Sequence, residues 1–379
     1  MVAKLKIGVA GLGRAFSAML PTLARDPRIA LVAAADPRAE ARRQFEADFQ
    51  ARVYREVADL CADPNVDVVY VATPHQFHAA HAVAALSAGK HALVEKPMAL
   101  SLDECRAMIA AAQKNGRQLV VGHSHSFDAP IARTRKIIER GTYGRVRMIS
   151  ALDYTDFLYR PRRPEELDTA AGGGVFFNQA AHQVDILRLL AGSPVKSVRA
   201  AAGAWDPARR TEGAYSALLT FADGAYASAV YSGYAHFDSD EFQDWIGEMG
   251  QKKDPDAYGI ARKALSTDEV VQKNARNYGG KEYRAATGAN HQHFGLFIVS
   301  CEKADLRPTP GGVMVYADAE QRLDKLAPPQ IPRSEVIDEL YGGVMEGRAP
   351  LHGGEWAMAT MQACLAMLES ARSGREIAL

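Results

Sequence analysis

The chain has no surplus of either charge: 45 lysines and arginines stand against 45 aspartates and glutamates in 379 residues. Nucleic-acid and polyanion partners draw on a basic excess, so neither is expected. A small anionic substrate needs only a local arginine cluster and stays open. Cysteine is scarce. Cys61, Cys105, Cys301 and Cys364 are scattered without metal-ligand spacing, as in a protein with reduced, mostly buried thiols. No apolar run reaches the roughly 18 residues of a membrane span, so no membrane partner is expected. No internal repeat or low-complexity stretch is evident. The first strand is expected from about Leu5, which leaves no room for a targeting peptide and gives a cytoplasmic location as the expectation.

What is present is a 47% hydrophobic composition, ample for real cores, over a length that suggests two domains. Lys4 to Ala10 is a short apolar run, followed by Gly11-Leu12-Gly13-Arg14-Ala15-Phe16 and a helical pattern to about Ala24. Strand, glycine turn and helix let the backbone approach a pyrophosphate, with helix N–H groups pointing at it. Phe16 replaces the third glycine of the usual pattern. A second strand, Ile29 to Ala35, ends in Asp36. An acid there accepts both adenosine ribose hydroxyls, the NAD arrangement, and repels a 2′-phosphate. Arg38 could cover the adenine or blunt that repulsion, so NADP is disfavoured. Asp36-Pro37 also fits the N-cap and first position of a helix.

Asp67 to Ala72 reads as a strand buried on both faces and ends in Thr73-Pro74-His75-Gln76-Phe77-His78. A helix from about Ala79 to Ser87 follows, then the strand His91-Ala92-Leu93-Val94-Glu95-Lys96-Pro97, a helix from about Leu102 to Asn115, and a strand from Gln118 to Gly122. This alternation implies a doubly wound parallel sheet over residues 1–122. Lys96 then projects from a strand's carboxyl end, where open α/β sheets bind ligands. His75, His78 and His81 lack a completing carboxylate or cysteine, so no metal is expected.

Residues 123–379 change rhythm. After His123-Ser124-His125-Ser126-Phe127-Asp128 and a helix from about Pro130 to Arg140, long alternating segments appear at Val146–Asp153, Val195–Ala202, Tyr215–Phe221 and Gly224–Tyr231. They predict an α+β domain with a largely antiparallel open sheet and helices on one face. Residues 238–288 read as a long irregular excursion. The strongest local signal is Gly172-Gly173-Gly174-Val175-Phe176-Phe177-Asn178-Gln179-Ala180-Ala181-His182-Gln183-Val184-Asp185. Three glycines precede a helix on which Asn178 and His182, four apart, share a face, with Asp185 also within reach.

These motifs resemble the Gfo/Idh/MocA oxidoreductases, named for glucose–fructose oxidoreductase and inositol dehydrogenase. The resemblance runs over nearly the whole length. It rests on the Gly11–Gly13 turn, Asp36, Thr73-Pro74 with His78, Glu95-Lys96-Pro97, the glycines with His182 and Asp185, and the closing Glu369-Ser370-Ala371-Arg372-Ser373-Gly374. It implies hydride transfer between NAD(P) and a carbon bearing a hydroxyl. Cofactor contacts are expected from Gly11, Gly13, Arg14, Ala15, Asp36, Arg38, Thr73, Pro74, His78, Glu95 and Lys96. The family's lysine corresponds to Lys96 and its histidine to His182, with Asp185 beside it. Many members carry an aspartate where this chain has Asn178, which can orient substrate but cannot relay a proton. The resemblance also implies a homodimer or homotetramer formed through the C-terminal sheet.

Before the glycines, Tyr159-Arg160-Pro161-Arg162-Arg163-Pro164 packs three arginines into a loop stiffened by proline. Arginine forks bind carboxylates bidentately, and sugar oxidation does not call for such a cluster. With His123, His125 and Phe127 as further lining, the chain is similar to the phthalate cis-4,5-dihydrodiol dehydrogenase branch. That implies NAD-dependent oxidation of a carboxylated cyclic cis-diol to a catechol. The proton acceptor is Lys96 or His182; buried beside a nicotinamide cation, Lys96 is expected to have a lowered pKa. A sugar or inositol dehydrogenase and a non-catalytic NAD(P)-binding regulator are the competing readings.

Overall fold

The computed structural model describes residues 3–234, 236–265, 268–284 and 288–379. They form two compact units. The first comprises residues 1–123, 268–286 and 331–361, and the second residues 124–267, 287–330 and 362–379. The chain first passes from one unit to the other between His123 and Ser124.

In the first unit, β1 (Leu5–Ala10), β2 (Ile29–Ala35), β3 (Arg52–Tyr54), β4 (Val68–Val71), β5 (His91–Val94) and β6 (Leu119–Val121) form one sheet in the order β3-β2-β1-β4-β5-β6. Every pairing is parallel. Helices α1 (Arg14–Arg25), α2 (Ala39–Phe49), α3 (Val57–Ala62), α4 (His78–Ser87) and α5 (Leu102–Asn115) make the connections. Val68, Val69, Tyr70 and Val71 are wholly buried, as a strand covered on both faces must be. The α5 helix starts at a capping box in which Ser101 and Glu104 satisfy each other's backbone amides.

Two returning segments complete this unit. Phe16, at the place of the third glycine, turns inward and packs 5.9 Å from the Phe45 ring and edge-on, at 5.1 Å, against Tyr278. The expected excursion over 238–288 is therefore divided. Its part from Asp268, including the helix Glu269–Arg276, belongs to the first unit because Tyr278 is buried against α1 and α2. Asp36 is not a helix cap: Arg38 holds that position and α2 begins at Ala39. The Asp36 carboxylate instead accepts bonds from the Leu12 amide and from Arg38.

The second unit is a nine-stranded sheet. Its strands are β7 (Val146–Tyr154), β8 (Val195–Gly203), β9 (Ala214–Phe221), β10 (Tyr226–Ser232), β11 (Leu296–Cys301), β12 (Ala304–Thr309), β13 (Gly312–Ala317), β14 (Gln321–Lys325) and β15 (Ile377–Ala378), in the order β14-β13-β12-β11-β7-β10-β9-β8-β15. Among the described residues of this sheet, only β7 and β10 pair in parallel; the other pairings are antiparallel. Helices α6 (Ala129–Glu139) and α7 (Ala181–Ala191) cover one face, α6 against β12 and β13 and α7 against β7 and β10. The fold is α/β, a Rossmann-type parallel sheet followed by a mostly antiparallel one, as expected. Among the described residues no helix is long and apolar enough to cross a membrane.

Candidate active site

The dinucleotide end of the first unit is built by β1, its turn and α1. Gly11 sits at φ +93°, and a Cβ there would lie 2.7 Å from the Ala72 carbonyl oxygen. Only glycine fits both the conformation and the space. A Cβ on Gly13 would meet nothing within 4 Å, which leaves the backbone open to a close ligand. Arg14 and Ala15 open α1, whose first turn has no side-chain cap and no acidic residue. Its amides are thus disposed to meet an anion. Asp36, at the end of β2, completes a set that fits a dinucleotide carrying a free adenosine ribose.

Thr73 and Pro74 follow β4. The buried ring of His78 lies between backbone oxygens: Nε2 is 2.8 Å from the Thr73 carbonyl and Nδ1 is 2.8 Å from that of Pro97. Burial pushes its pKa below the ordinary value against the pull of those carbonyls. His78 thus joins the end of β4 to the Lys96-Pro97 segment. His81, another member of the histidine trio, meets the Thr73 hydroxyl at 3.0 Å. Glu95 turns inward, where its carboxylate accepts the Tyr70 hydroxyl at 2.6 Å. Burial raises the Glu95 pKa, opposed by Tyr70, by Arg333 and Lys96, and by the His123 amide. Lys96 follows directly, half-buried beyond the end of β5.

The second unit gathers its polar groups around His125. Its Nδ1 is 2.7 Å from Asp128 and its Nε2 is 3.7 Å from Glu248. Burial works against a charge on this ring, but the two carboxylates outweigh it and push the pKa up to about 9. Glu248 also takes Arg160 Nη2 at 3.2 Å, while Arg160 Nε donates to Asp156 at 2.7 Å. Burial opposes ionisation of Glu248, yet Arg160 and His125 hold its pKa far below the usual carboxylate range.

His182 lies beside this network. Its ring is 4.8 Å from that of His125 and 5.0 Å from that of Phe294. Asn178 donates to the Gly174 carbonyl at 2.9 Å. The Asp185 carboxylate accepts the Ser126 hydroxyl. The helix carrying these groups does not begin as an α-helix: Phe176–Ala180 is a π-turn that passes into α7 at Ala181. The i→i+5 bonding of that turn departs from the four-residue register of an α-helix. Gln179 in the same turn donates to the Tyr231 hydroxyl at 2.7 Å.

Of the three loop arginines, Arg160 joins the charged network. Arg162 donates Nε to the Phe157 carbonyl at 3.2 Å, and its guanidinium stacks 3.7 Å over the Phe157 ring. Burial is the main influence on Arg162 and pulls its pKa down to about 10. Arg163 caps the 3₁₀ turn Pro164–Leu167, its amide donating to Glu166 at 2.7 Å. Phe127 is buried in the 3₁₀ turn His125–Phe127. Glu248, Asp156 and Tyr231 escape sequence reasoning. Glu248 stands in an irregular stretch without periodicity, and nothing local marks it as a partner of His125.

Comparison with known proteins agrees with both halves. Residues 5–123 match the family model described as oxidoreductase family, NAD-binding Rossmann fold, and residues 131–251 match the GFO/IDH/MocA C-terminal domain. A 1-carboxy-3-chloro-3,4-dihydroxycyclohexa-1,5-diene dehydrogenase of Comamonas testosteroni is 50% identical over 379 residues, covering 97% of this chain and 95% of the relative. A myo-inositol 2-dehydrogenase of Thermotoga maritima is 29% identical over 196 residues, 51% of this chain and 57% of its own. The crystal structure of a Bordetella bronchiseptica RB50 protein described as a dehydrogenase superposes with a TM-score of 0.94 at 41% identity, covering 99% of this chain and 100% of that one. The chain belongs to the Gfo/Idh/MocA family and is an NAD-using oxidoreductase.

Proposed function

We propose that the protein oxidises a cis-dihydrodiol of an aromatic carboxylate, of the phthalate type, to the corresponding catechol. The observation that carries this reading is the half-identical, near full-length relative whose name describes a carboxylated dihydroxycyclohexadiene dehydrogenase. The half-buried guanidinium groups of Arg160 and Arg162 supply the matching chemistry, since a forked cation recognises a carboxylate.

A dinucleotide held by the Gly11–Gly13 turn and Asp36 would supply the hydride acceptor for one carbinol carbon. The chain's own groups do the rest. Lys96 takes or orients the hydroxyl proton, with His182 as the second acceptor and path to solvent. Asp185, fixed by Ser126, and Asn178, fixed by Gly174, hold the histidine helix and the substrate. Loss of the hydride and the hydroxyl proton leaves a hydroxyketone. Its shift to the catechol gains aromaticity and draws the reaction toward oxidation.

The same reading assigns assembly as a homodimer or homotetramer to the uncovered face of the nine-stranded sheet. Leu218, Ser228, Ser150 and Ile298 form one row across four strands, and Leu218 and Ile298 are exposed at its ends. Sedimentation of the purified protein tests this. NADH formation across carboxylated and uncarboxylated cis-dihydrodiols, with inositol as control, tests the activity. Oxidation confined to inositol would replace the reading with a polyol dehydrogenase.

A further inference from the structure

Tyr278 reaches α1 and α2 and, through Arg38, the acid that follows β2. Its ring packs edge-on against Phe16 on α1, at 5.1 Å, and lies 6.4 Å from Phe45 on α2. Its hydroxyl donates to Asp48 near the end of α2. Its amide donates to the Ser17 hydroxyl at 3.2 Å, which in turn donates to the Gly13 carbonyl of the glycine turn at 2.9 Å. Its carbonyl accepts Arg38 Nη1 at 3.4 Å. The next residue, Gly279, sits at φ +78°, and a Cβ there would lie 2.8 Å from Ala41 Cα. The segment is therefore seated directly on the first turn of α2.

Arg38 is the residue whose freedom matters. Its Nε donates to Asp36 at 3.0 Å, and its Nη2 donates to Asp36 at 3.2 Å and to the Leu12 carbonyl at 2.7 Å. With Nη1 on Tyr278, each guanidinium nitrogen has an acceptor. An arginine two residues past the ribose-binding acid is the group that would accommodate a 2′-phosphate if it were released. Held on Asp36, Leu12 and Tyr278, its guanidinium nitrogens are committed and are not turned to a 2′-phosphate.

We propose that Tyr278 is a positioning residue for cofactor choice: by seating its segment on α1 and α2 it holds Arg38 on Asp36 and so keeps the site selective for NAD over NADP. Specificity then arises from withholding a cation as well as from presenting an acid. The third-glycine position filled by Phe16 belongs to the same device, because Phe16 is the ring against which Tyr278 is fixed.

The test is binding rather than turnover. Dissociation constants for NAD and NADP are measured by calorimetry on the full chain and on Tyr278→Ala, Tyr278→Phe and Asp48→Ala, each checked for folding by thermal melting. The ratio of the NADP to the NAD constant is expected to fall by roughly tenfold in Tyr278→Ala and less in the two milder variants. In an Arg38→Ala background, Tyr278→Ala is expected to leave the ratio where Arg38→Ala alone puts it, since the effect runs through that arginine. A folded Tyr278→Ala protein with the wild-type ratio overturns the proposal, whatever happens to its overall affinity. If Tyr278→Ala does not fold, an unchanged ratio in both Tyr278→Phe and Asp48→Ala overturns it.

Discussion

The hydroxyl of Tyr70, in the centre of the parallel sheet, donates to the carboxylate of Glu95 at 2.6 Å, immediately before Lys96 in the chain. Both side chains are buried. Tyr70→Phe removes one donor from a buried acid and is expected to cost about 1–3 kcal/mol of stability. The cost has a pH signature. Burial already raises the Glu95 pKa above its ordinary 4.5, and Tyr70 works against that rise. A raised acid favours folding while protonated, and that contribution is lost as pH climbs through the folded value. The Tyr70→Phe penalty should therefore be largest where Glu95 is ionised and shrink as pH falls through the folded value, which lies above 4.5. Urea denaturation at several pH values measures it.

His125 gives the opposite test. Asp128 and Glu248 overcome burial and push its pKa up to about 9 from 6.5. A histidine raised in the folded state contributes fully below 6.5, and the contribution fades as pH rises through about 9. Stability is expected to decline across that window in the wild type and to decline less in His125→Gln. Denaturant midpoints measured on both sides of the window decide it.

The glycine turn predicts a binding defect with little ambiguity of cause. Gly11→Ala places a Cβ 2.7 Å from the Ala72 oxygen at φ +93°. A strained backbone of this kind costs of order 1–3 kcal/mol, and relief must move the turn that meets the pyrophosphate. NAD affinity should fall more than tenfold, measured by calorimetry beside a melting curve.

These cases mark how far sequence reasoning reaches. The β1 turn, the ends of β4 and β5, and the His182 helix are legible because short apolar runs, glycines and a proline act locally. Phe16 is visible as a departure from pattern, but its reason is Tyr278, far along the chain and returned to the same core. Glu248 and Asp156 matter through Arg160 and His125, and no spacing rule connects residues joined only by tertiary folding. The π-turn at Phe176–Ala180 is likewise invisible, because its residues suit an α-helix equally well.

Substitutions in the arginine loop test the proposed carboxylate recognition apart from scaffold effects. Arg162→Ala is expected to raise the KM for a carboxylated dihydrodiol by roughly ten- to a hundredfold, the worth of a charge-assisted hydrogen bond. The KM for an uncarboxylated analogue should change little. Arg160→Ala also leaves Asp156 and Glu248 without their shared cation, so it should lower the melting temperature as well. Steady-state kinetics with paired substrates, alongside melting curves, distinguishes the two residues.

Lys96 is proposed to serve hydride removal from a carboxylated cis-dihydrodiol. The most direct measurement is NADH formation from such a diol by wild type and Lys96→Ala, with NAD binding followed on both. Rapid NADH formation is expected of the wild type, with turnover lower by at least about a hundredfold in the variant and NAD affinity retained. A Lys96→Ala protein that turns over the diol at the wild-type rate, or a wild type that binds NAD and leaves every carboxylated diol untouched, would contradict it.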